Sequence, residues 1–328
     1  MKAFVHKGTQ ILSMEMNKPS VSVGQLLIKM HSVGLNRRDL MIPARRGEQP
    51  EPVILGSDGV GIVEEIGSAV RKFKKGDRVI VNPGMGWEMN TSAAPETLEI
   101  VGYPSHGTFA EYYLVDQRWV EPMPSYLAWD EASVLALAAL TAYRALFTKG
   151  KLAPNQTVFI PGIGSGVATF LLQFAKAAGA NVIASSRSAE KRARAEQLGA
   201  DLVIDTNQDW KGCIANRQID LVIDSIGYAT FHRSLEVLKP GGTLVTFGAT
   251  TEDNVTFNVR NFFYAQQQII GSTLGSREEL REMLTFIEQH SIRPVVDSVY
   301  AFESFGQAFE HLKHGKQFGN ISVKIIKE

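Results

Sequence analysis

Small residues at a fixed spacing are the clearest chemical signal in the 328-residue chain, and they follow a short apolar run at Thr157–Ile160. Glycines allow a tight turn in which backbone N–H groups approach a phosphate, and a helix that begins there adds partial positive charge. A bare tight turn is the alternative, but the order strand, glycine turn, helix favours a dinucleotide pyrophosphate site. The turn reads Gly162-Ile163-Gly164-Ser165-Gly166-Val167-Ala168.

Cations follow the next strand along the chain, where a dinucleotide's adenosine ribose is usually bound. The strand ends in Ser185-Ser186-Arg187, and Lys191 lies one helical turn further on. An enzyme that prefers NADH usually has Asp or Glu there. A guanidinium and an ammonium instead suit a 2′-phosphate. The sequence therefore predicts NADPH over NADH; the alternative is that both cations are ordinary solvated residues at a helix start.

Alternating strands and helices after about residue 130 must position these groups. The apolar runs have the character of parallel strands buried on both faces. This pattern predicts a doubly wound α/β sheet. The predicted strands are Thr157–Ile160, Asn181–Ser185, Leu202–Asp205, Ile219–Asp224, Thr243–Phe247 and Gln268–Gly271. The predicted helices include Glu131–Thr148, Ala168–Ala178, Ala189–Leu198, Ala229–Leu238, Ser276–Gln289 and Ser304–Lys313.

The first part of the chain, to about Glu121, has short alternating runs separated by glycines, which is typical of a small barrel-like β domain. Its predicted strands are Gln25–His31, Val60–Ile66, Arg78–Val81 and Ala110–Val115, and a last strand is predicted at Ile321–Ile326. The segment 82–108 has little periodicity and is expected to be a surface lobe outside the chemistry.

Composition excludes several classes of protein. Basic and acidic residues number 34 each, which gives no footprint for nucleic acid and no polybasic membrane patch. No apolar run approaches the length of a membrane span, so we expect a soluble cytoplasmic protein. The single cysteine, Cys213, excludes an internal disulfide and a zinc site built from cysteines.

Six sequence blocks stand out when they are taken together and in order. They are Val33-Gly34-Leu35-Asn36-Arg37-Arg38-Asp39, Leu55-Gly56-Ser57-Asp58-Gly59-Val60-Gly61-Ile62-Val63, Gly76-Asp77-Arg78-Val79, Gly107-Thr108-Phe109-Ala110-Glu111-Tyr112, Leu140-Thr141-Ala142-Tyr143 and Leu198-Gly199-Ala200-Asp201. In this order they resemble the medium-chain dehydrogenase/reductase superfamily. The resemblance covers nearly the whole chain and implies a GroES-like β-rich catalytic domain at 1–125, to which 272–328 return, and a Rossmann domain at 126–271.

The zinc-dependent branch of that superfamily has metal ligands at positions where this chain has other residues. A cysteine is replaced by Asn36, a His-Glu pair by Ser57-Asp58, and a further ligand falls near Leu137. Amide, hydroxyl and alkyl groups do not replace thiolate and imidazole. The structural zinc loop would fall at 82–108, which has no cysteine. The chain is thus similar to the zinc-independent, NADPH-dependent quinone oxidoreductase (ζ-crystallin-like) branch, and no metal is expected.

The resemblance also implies where the nicotinamide lies, namely between the two domains, with Asn36 and Thr141 as the catalytic candidates. Asn36 is alternatively a turn or capping residue, and Phe318 a core aromatic. Quinone oxidoreductases often have Lys where Asn320 stands and Tyr where Met41 stands, which leaves the substrate open. The further cofactor contacts expected are Phe247, Gly248, Ala249, Gly271, Ser272, Thr273, Phe318 and Asn320.

We therefore expect an NADPH-dependent reductase of a quinone or an α,β-unsaturated carbonyl compound. Such acceptors need little proton assistance when the hydride is transferred, and the sequence offers no convincing general acid. An enoyl thioester (acyl-CoA) reductase is the alternative enzyme, and a non-catalytic NADPH-binding module is the alternative class. The apolar segment 262–273 matches an edge that often pairs in the family, so we expect a homodimer, although a buried strand fits the same residues.

Overall fold

The structure is a computed structural model that describes residues 1–326, and these form two compact units. The first unit comprises Met1–Leu140 together with the described residues from Gly275 onward, and the second comprises Thr141–Leu274. None of the helices formed by residues 1–326 combines the length and the apolar character that crossing a lipid bilayer requires.

The described residues form eighteen strands and ten α-helices. The strands are β1 (Lys2–Lys7), β2 (Gln10–Glu15), β3 (Gln25–Leu35), β4 (Val53–Ile54), β5 (Asp58–Ile66), β6 (Arg78–Val81), β7 (Gly84–Met85), β8 (Glu99–Ile100), β9 (Tyr112–Asp116), β10 (Val120–Pro122), β11 (Thr157–Ile160), β12 (Asn181–Ser186), β13 (Leu202–Asp205), β14 (Ile219–Asp224), β15 (Leu238–Thr246), β16 (Gln268–Gly271), β17 (Val296–Ala301) and β18 (Asn320–Lys324). The helices are α1 (Ile42–Arg46), α2 (Trp129–Ser133), α3 (Ala136–Tyr143), α4 (Gly166–Ala177), α5 (Ala189–Gln197), α6 (Trp210–Ile214), α7 (Phe231–Val237), α8 (Val259–Tyr264), α9 (Arg277–Gln289) and α10 (Phe305–His314).

The second unit is built on a six-stranded parallel sheet in the order β13-β12-β11-β14-β15-β16. Counted from the first strand of the unit, this is the order 3-2-1-4-5-6 of a doubly wound dinucleotide-binding fold. The strands read as apolar runs because both faces are covered; Val158, Phe159 and Ile160 of β11 are buried. The predicted α/β class is confirmed.

The first unit is β-rich, as the resemblance implied for a GroES-like domain. Its larger sheet has the order β10-β6-β5-β3-β18-β17 with β9 also paired to β3, and a smaller sheet has the order β2-β1-β4. Strand β18, near the end of the chain, pairs antiparallel with β3, so the C-terminal segment completes the sheet begun by the N-terminal one. Phe4 of β1 stacks on Phe305 of α10 with ring centroids 4.2 Å apart, which joins strand and helix in one core.

Several elements differ from the sequence prediction. The helix expected at Glu131–Thr148 is divided into α2, α3 and a π-helical segment, Arg144–Lys149. The sixth strand, Gln268–Gly271, has the predicted bounds, but helix α8, which precedes it, was not predicted. In α8 the Asn258 side chain accepts a hydrogen bond from Asn261 N and caps the helix, a local signal that outweighs the strand propensity of Phe262 and Phe263.

Segment 82–108 forms an ordered lobe without any cysteine. It contains the short pair β7–β8, and Trp87 is buried within the first unit. Its backbone joins the start of α9, where Arg277 N donates to Trp87 O at 2.8 Å. The lobe also reaches β5 through Thr108, whose hydroxyl donates to the backbone oxygen of Asp58 at 2.7 Å.

Candidate active site and cofactor-binding residues

The glycine turn lies between β11 and α4 in the second unit, as the spacing predicted. Gly162 and Gly164 have φ values of +71° and +135°, a region that side chains disfavour. A Cβ on Gly162 would collide with the side chain of Ile226, and one on Gly164 would lie 2.8 Å from Lys191 Cδ. Ser165 caps α4 by accepting from Ala168 N at 3.1 Å. These two positions of the turn therefore require glycine, and the turn leads directly into a twelve-residue helix.

The end of β12 faces that turn. Ser185 is buried, and its hydroxyl accepts from Gly162 N at 3.4 Å and from Thr206 Oγ1 at 3.2 Å. Ser186 accepts from Ser188 N at 3.2 Å. The hydroxyls therefore hold the backbone together rather than presenting themselves freely to a ligand.

Three cationic side chains, those of Arg187, Lys191 and Arg192, follow the end of β12 in the chain. Arg187 is exposed, and its side chain forms no ion pair or hydrogen bond within residues 1–326. The aliphatic part of Lys191 lies against Gly164. Arg192 is different, because its Nη1 lies 2.9 Å from Asp205 Oδ2. Two of the three cations are thus directed at the glycine turn or at solvent, and the nearby carboxylate is paired with the third.

The remaining predicted cofactor contacts of the second unit lie beyond the same edge of the sheet. Phe247, Gly248 and Ala249 follow β15, and Gly248 lies close to Ser225, which follows β14. Gly271 is paired with Thr246 across β15 and β16, and Ser272 N donates to Thr246 O at 2.8 Å. Thr273 is exposed. Ligands of open α/β sheets bind beyond the carboxyl ends of the strands, which is where these residues lie.

Thr141 lies in α3, which crosses the boundary between the two units. Its side chain is buried, with 7% of its surface exposed.

Asn36 lies at the end of β3 in the first unit and is held by two carboxyl groups. Its Nδ2 donates to Asp58 Oδ2 at 2.9 Å, and its backbone N–H donates to Asp39 Oδ2 at 2.7 Å. Asp58 Oδ1 accepts from the backbone N–H of Leu137 at 2.8 Å. Both oxygens of Asp58 therefore have donors, and the amide of Asn36 is held in one orientation.

Burial dominates the electrostatics of both carboxyl groups. It raises the pKa of Asp58 to about 7, against the lowering effect of the hydrogen bonds from Asn36 and Leu137. It likewise raises the pKa of Asp39 to about 7, against the charge of Arg38. Asp39 Oδ1 is buried without a hydrogen-bond partner among the described residues, whereas both oxygens of Asp58 accept. Asp58 is therefore the carboxyl group that is better stabilised in its ionised form. Asp39 is the one that better accommodates a proton.

Phe318 and Asn320 lie in the first unit at the start of β18. Phe318 is 2% exposed, and its N–H donates to Asp297 Oδ1 at 2.9 Å. Asn320 Nδ2 donates to Val295 O at 3.2 Å. Ile321, the next residue, pairs with Leu35, so Asn320 is near Asn36. The burial of Phe318 agrees with the alternative of a core aromatic.

Residues that the sequence reasoning did not assign complete this region. Arg38 Nη1 donates to Ser57 Oγ at 2.5 Å and to Val101 O at 2.8 Å. Val101 belongs to the lobe that we expected to lie outside the chemistry, and the structure instead brings it to the residues around Asn36. The blocks containing Arg38 and Asp39 were visible as motifs, but their burial was not.

The donor set around Asn36 does not fit a zinc ion. The nitrogen of the amide points its hydrogen at Asp58, and Leu137 offers only a backbone N–H, which is also a donor. Zinc in proteins takes thiolate, imidazole and carboxylate ligands. Within the described part of the chain, no group of three or more His, Cys, Asp or Glu residues is arranged to hold a metal ion.

Two family models match the chain. The alcohol dehydrogenase GroES-like domain matches residues 22–125, and the zinc-binding dehydrogenase model matches residues 166–289. The second match begins at Gly166, the last glycine of the turn, and extends over α4, strands β12 to β16 and α9.

Relatives extend over almost the whole chain. It is 32% identical to the zinc-type alcohol dehydrogenase-like protein YogA of Leptosphaeria maculans, over 94% of this chain and 93% of that protein. It is 29% identical to the crotonyl-CoA reductase of Streptomyces avermitilis, over 83% of this chain and 68% of that protein. A solved structure of an NAD-dependent alcohol dehydrogenase matches with a TM-score of 0.93 and 28% identity, covering 99% of this chain and 100% of the other.

Proposed function

The chain belongs to the medium-chain dehydrogenase/reductase superfamily, and we propose that it is a zinc-free, NADPH-dependent reductase of quinones or α,β-unsaturated carbonyl compounds. As a member of that superfamily it is an oxidoreductase with a nicotinamide cofactor and a small-molecule substrate. The proposal concerns the metal, the choice of cofactor and the acceptor.

The hydrogen bond from Asn36 Nδ2 to Asp58 Oδ2 carries the proposal. Zinc in dehydrogenase-like sites is bound by lone pairs of thiolate or imidazole groups, and Asn36 has neither. Its amide nitrogen instead donates a hydrogen bond to a carboxylate. The same arrangement fixes the second N–H of the amide as a hydrogen-bond donor. A neutral donor held in place stabilises charge that develops on an acceptor oxygen, and it does so without a metal.

The reaction follows from these groups. The reduced nicotinamide, when bound, supplies the hydride. Asn36 donates its second amide hydrogen to the oxygen of the acceptor, and Thr141 is the other candidate donor. Asp58 keeps the amide in the donating orientation. An electron-poor double bond suits this site because the added charge spreads to oxygen, where solvent later supplies the proton.

The cations near the glycine turn support NADPH. Arg187 and Lys191 offer positive charge near the turn, and the carboxylate of Asp205 is engaged by Arg192. Gly162, Gly164, Ser165, Gly166 and Val167 would hold the pyrophosphate at the start of α4. The residues beyond β15 and β16 would contact the nicotinamide half, as would Phe318 and Asn320.

An enoyl thioester reductase is the second candidate. The similarity to a crotonyl-CoA reductase favours it, since that name describes reduction of a conjugated thioester. The chemistry at Asn36 would be the same, and only the group attached to the carbonyl would differ.

Two further features stay proposals. We propose a homodimer formed along β16, an edge strand of its sheet, next to which Phe263 and Tyr264 are 52% and 71% exposed. A sedimentation mass of one chain at micromolar concentration would contradict it. The division into a catalytic domain (1–125 with 272–328) and a cofactor domain (126–271), and the cytoplasmic location, likewise stay predictions.

A panel of acceptors tests the proposed function. Purified protein is assayed for oxidation of NADPH with 1,2-naphthoquinone, 3-buten-2-one and crotonyl-CoA, and for reduction of NADP⁺ with primary alcohols. We expect turnover of at least one conjugated acceptor, and a loss of kcat of about tenfold or more in Asn36→Ala with Asn254→Ala as the control. Oxidation of alcohols without reduction of any conjugated acceptor would overturn the proposal, and cofactor binding without turnover would support a non-catalytic module.

A further inference from the structure

The guanidinium of Arg38 lies beside the candidate active site and has capacity to bind a further group. It extends from the short 3₁₀ helix Arg37–Leu40 that follows Asn36, and its Nη1 reaches Ser57 Oγ and Val101 O. Ser57 is the neighbour of Asp58 in the chain. The cation is close enough to Asp58 of the amide–carboxylate pair for the two charges to interact.

Neutral oxygen atoms are the acceptors of this cation. Within residues 1–326 Arg38 forms no ion pair, and its Nε and Nη2 groups form no hydrogen bond. A guanidinium presents its N–H donors as a planar fork that matches a carboxylate or a phosphate. One edge of the fork is therefore available for an anion.

The charge of Arg38 is held there at a cost. Burial lowers its pKa, the carboxyl groups of Asp39 and Asp58 oppose that effect, and the positive charge of Arg45 adds to it. An arginine nevertheless stays protonated. The guanidinium of Arg38 is therefore a charged donor close enough to Arg45, Asp39 and Asp58 to interact with their charges, and it forms no direct ion pair within residues 1–326.

Anchoring the lobe does not require this charge. Ser57 Oγ itself donates to Val101 O at 2.7 Å. The backbone of the lobe is bonded independently, since Gly107 N donates to Ile54 O at 2.8 Å and Phe109 N donates to Leu55 O at 2.9 Å. A neutral side chain would satisfy Val101, so the contact with the lobe does not account for the positive charge of Arg38.

We propose that Arg38 binds an anionic group of the acceptor, so that the enzyme prefers conjugated carbonyl compounds that carry a carboxylate or phosphate. The inference rests on the proposed function and specifies its substrate class. Because Arg38 donates to Ser57, which precedes Asp58 in the chain, we expect the bound anion to lie near the reacting carbonyl. A short unsaturated keto acid fits this better than a coenzyme A thioester, whose phosphates are far from its carbonyl.

Matched acceptors test the inference. The first pair is 4-oxopent-2-enoate and its methyl ester, which differ by one negative charge; the second is crotonyl-CoA and S-ethyl crotonothioate, which differ by the phosphate-bearing arm. For wild type we expect kcat/KM at least about tenfold higher for the carboxylate than for its ester. Arg38→Gln abolishes that ratio, Arg38→Lys keeps part of it, and Arg217→Gln, which removes an exposed charge elsewhere, leaves it unchanged.

The outcomes separate the inference from the proposed function. Equal kcat/KM for acid and ester in wild type, or an unchanged ratio in Arg38→Gln, overturns the inference while reduction of the ester still supports the proposed function. If wild type prefers crotonyl-CoA to S-ethyl crotonothioate but does not prefer the carboxylate to its ester, the bound anion belongs to the coenzyme arm. That result overturns the choice of a short acid. If Arg38→Gln does not fold, the wild-type ratio and Arg38→Lys decide.

A binding measurement needs no turnover. Titration of the NADPH-bound protein with 4-oxopentanoate, the saturated analogue, should give an affinity about tenfold or more weaker in Arg38→Gln than in wild type. Such a result without turnover of any acceptor supports the anion site and contradicts the proposed function. An equal loss of NADPH affinity in Arg38→Gln would assign the arginine to the cofactor and overturn the inference.

Discussion

The amide nitrogen of Asn36 lies 2.9 Å from a carboxylate oxygen of Asp58, in the buried interior of the β-rich unit. The second oxygen of that carboxylate accepts from the backbone of Leu137. Two hydrogen bonds thus join Asn36, Asp58 and Leu137. These are the three positions at which zinc-dependent relatives are expected to bind metal. Hydrogen bonds therefore engage all three positions, and the proposed zinc-free reaction depends on this arrangement.

Replacing Asp58 by Asn tests the orienting role of the carboxylate. A neutral acceptor holds the Asn36 amide less tightly than a charged one, so we expect kcat to fall by about tenfold with the KM for NADPH unchanged. Steady-state kinetics measure both values, and the exposed Asp253→Asn serves as the control. A parallel loss of NADPH affinity, or no change in kcat, would remove Asp58 from the reaction.

Replacing Arg187 by Glu tests the choice of cofactor. The new carboxylate repels a 2′-phosphate and accepts from a ribose hydroxyl, so the ratio of NADPH to NADH affinity should fall by about tenfold or more. Fluorescence titration at fixed salt gives both affinities, and the exposed Arg217→Glu controls for the change in net charge. If wild type already binds NADH as tightly as NADPH, the preference is wrong.

Replacing Gly164 by Ala tests the turn. Its φ of +135° is unfavourable for alanine, and the added methyl group would lie 2.8 Å from Lys191 Cδ. We expect weaker NADPH binding and a loss of stability of about 1–3 kcal/mol. Gly306→Ala in α10, where an added Cβ meets nothing within 4 Å, should cost little. Calorimetric titration and denaturant unfolding compare the two; equal behaviour would contradict the strained turn.

Replacing Asp39 by Asn tests the buried acid. Its pKa is raised from 3.8 to about 7, so the folded state binds the proton more tightly than the unfolded chain. The stabilisation is complete below about pH 4 and is lost as the pH rises through about 7. Relative to wild type, Asp39→Asn should therefore gain about 1–3 kcal/mol of unfolding free energy between pH 5 and pH 8.

Urea unfolding at both pH values measures that difference. The pH-independent cost of the new amide cancels when the two values are compared. Asp253→Asn, whose side chain is exposed, should show no such change. A difference between Asp39→Asn and wild type that stays constant with pH would show that Asp39 is already ionised in the folded protein.

The sequence predicted the cofactor-binding unit better than the acceptor site, for physical reasons. A parallel strand buried on both faces appears as an apolar run, so the central strands β11 and β14 were predicted with their observed bounds. The bounds of the edge strands β13 and β16 were also predicted as observed. Glycines that must adopt positive φ reveal the turn directly. Short elements such as β4 and α6 have too few residues to show a period, and they were missed.

The acceptor site depends on contacts between distant parts of the chain. Arg38 meets Val101 63 residues away, and Leu137 meets Asp58 79 residues away. Neither contact leaves a pattern in the local sequence, and the raised pKa values of Asp39 and Asp58 result from burial that only the fold produces. Asn36 could be identified from its motif, but its donors and acceptors could not.

Metal content and activity measured on one sample decide whether the enzyme works without zinc. Protein treated with a chelator and then freed of it is analysed for zinc and assayed with NADPH and 3-buten-2-one. We expect full activity with far less than one zinc per chain. One zinc per chain in untreated protein, with activity that is lost on chelation and restored by zinc, would contradict it.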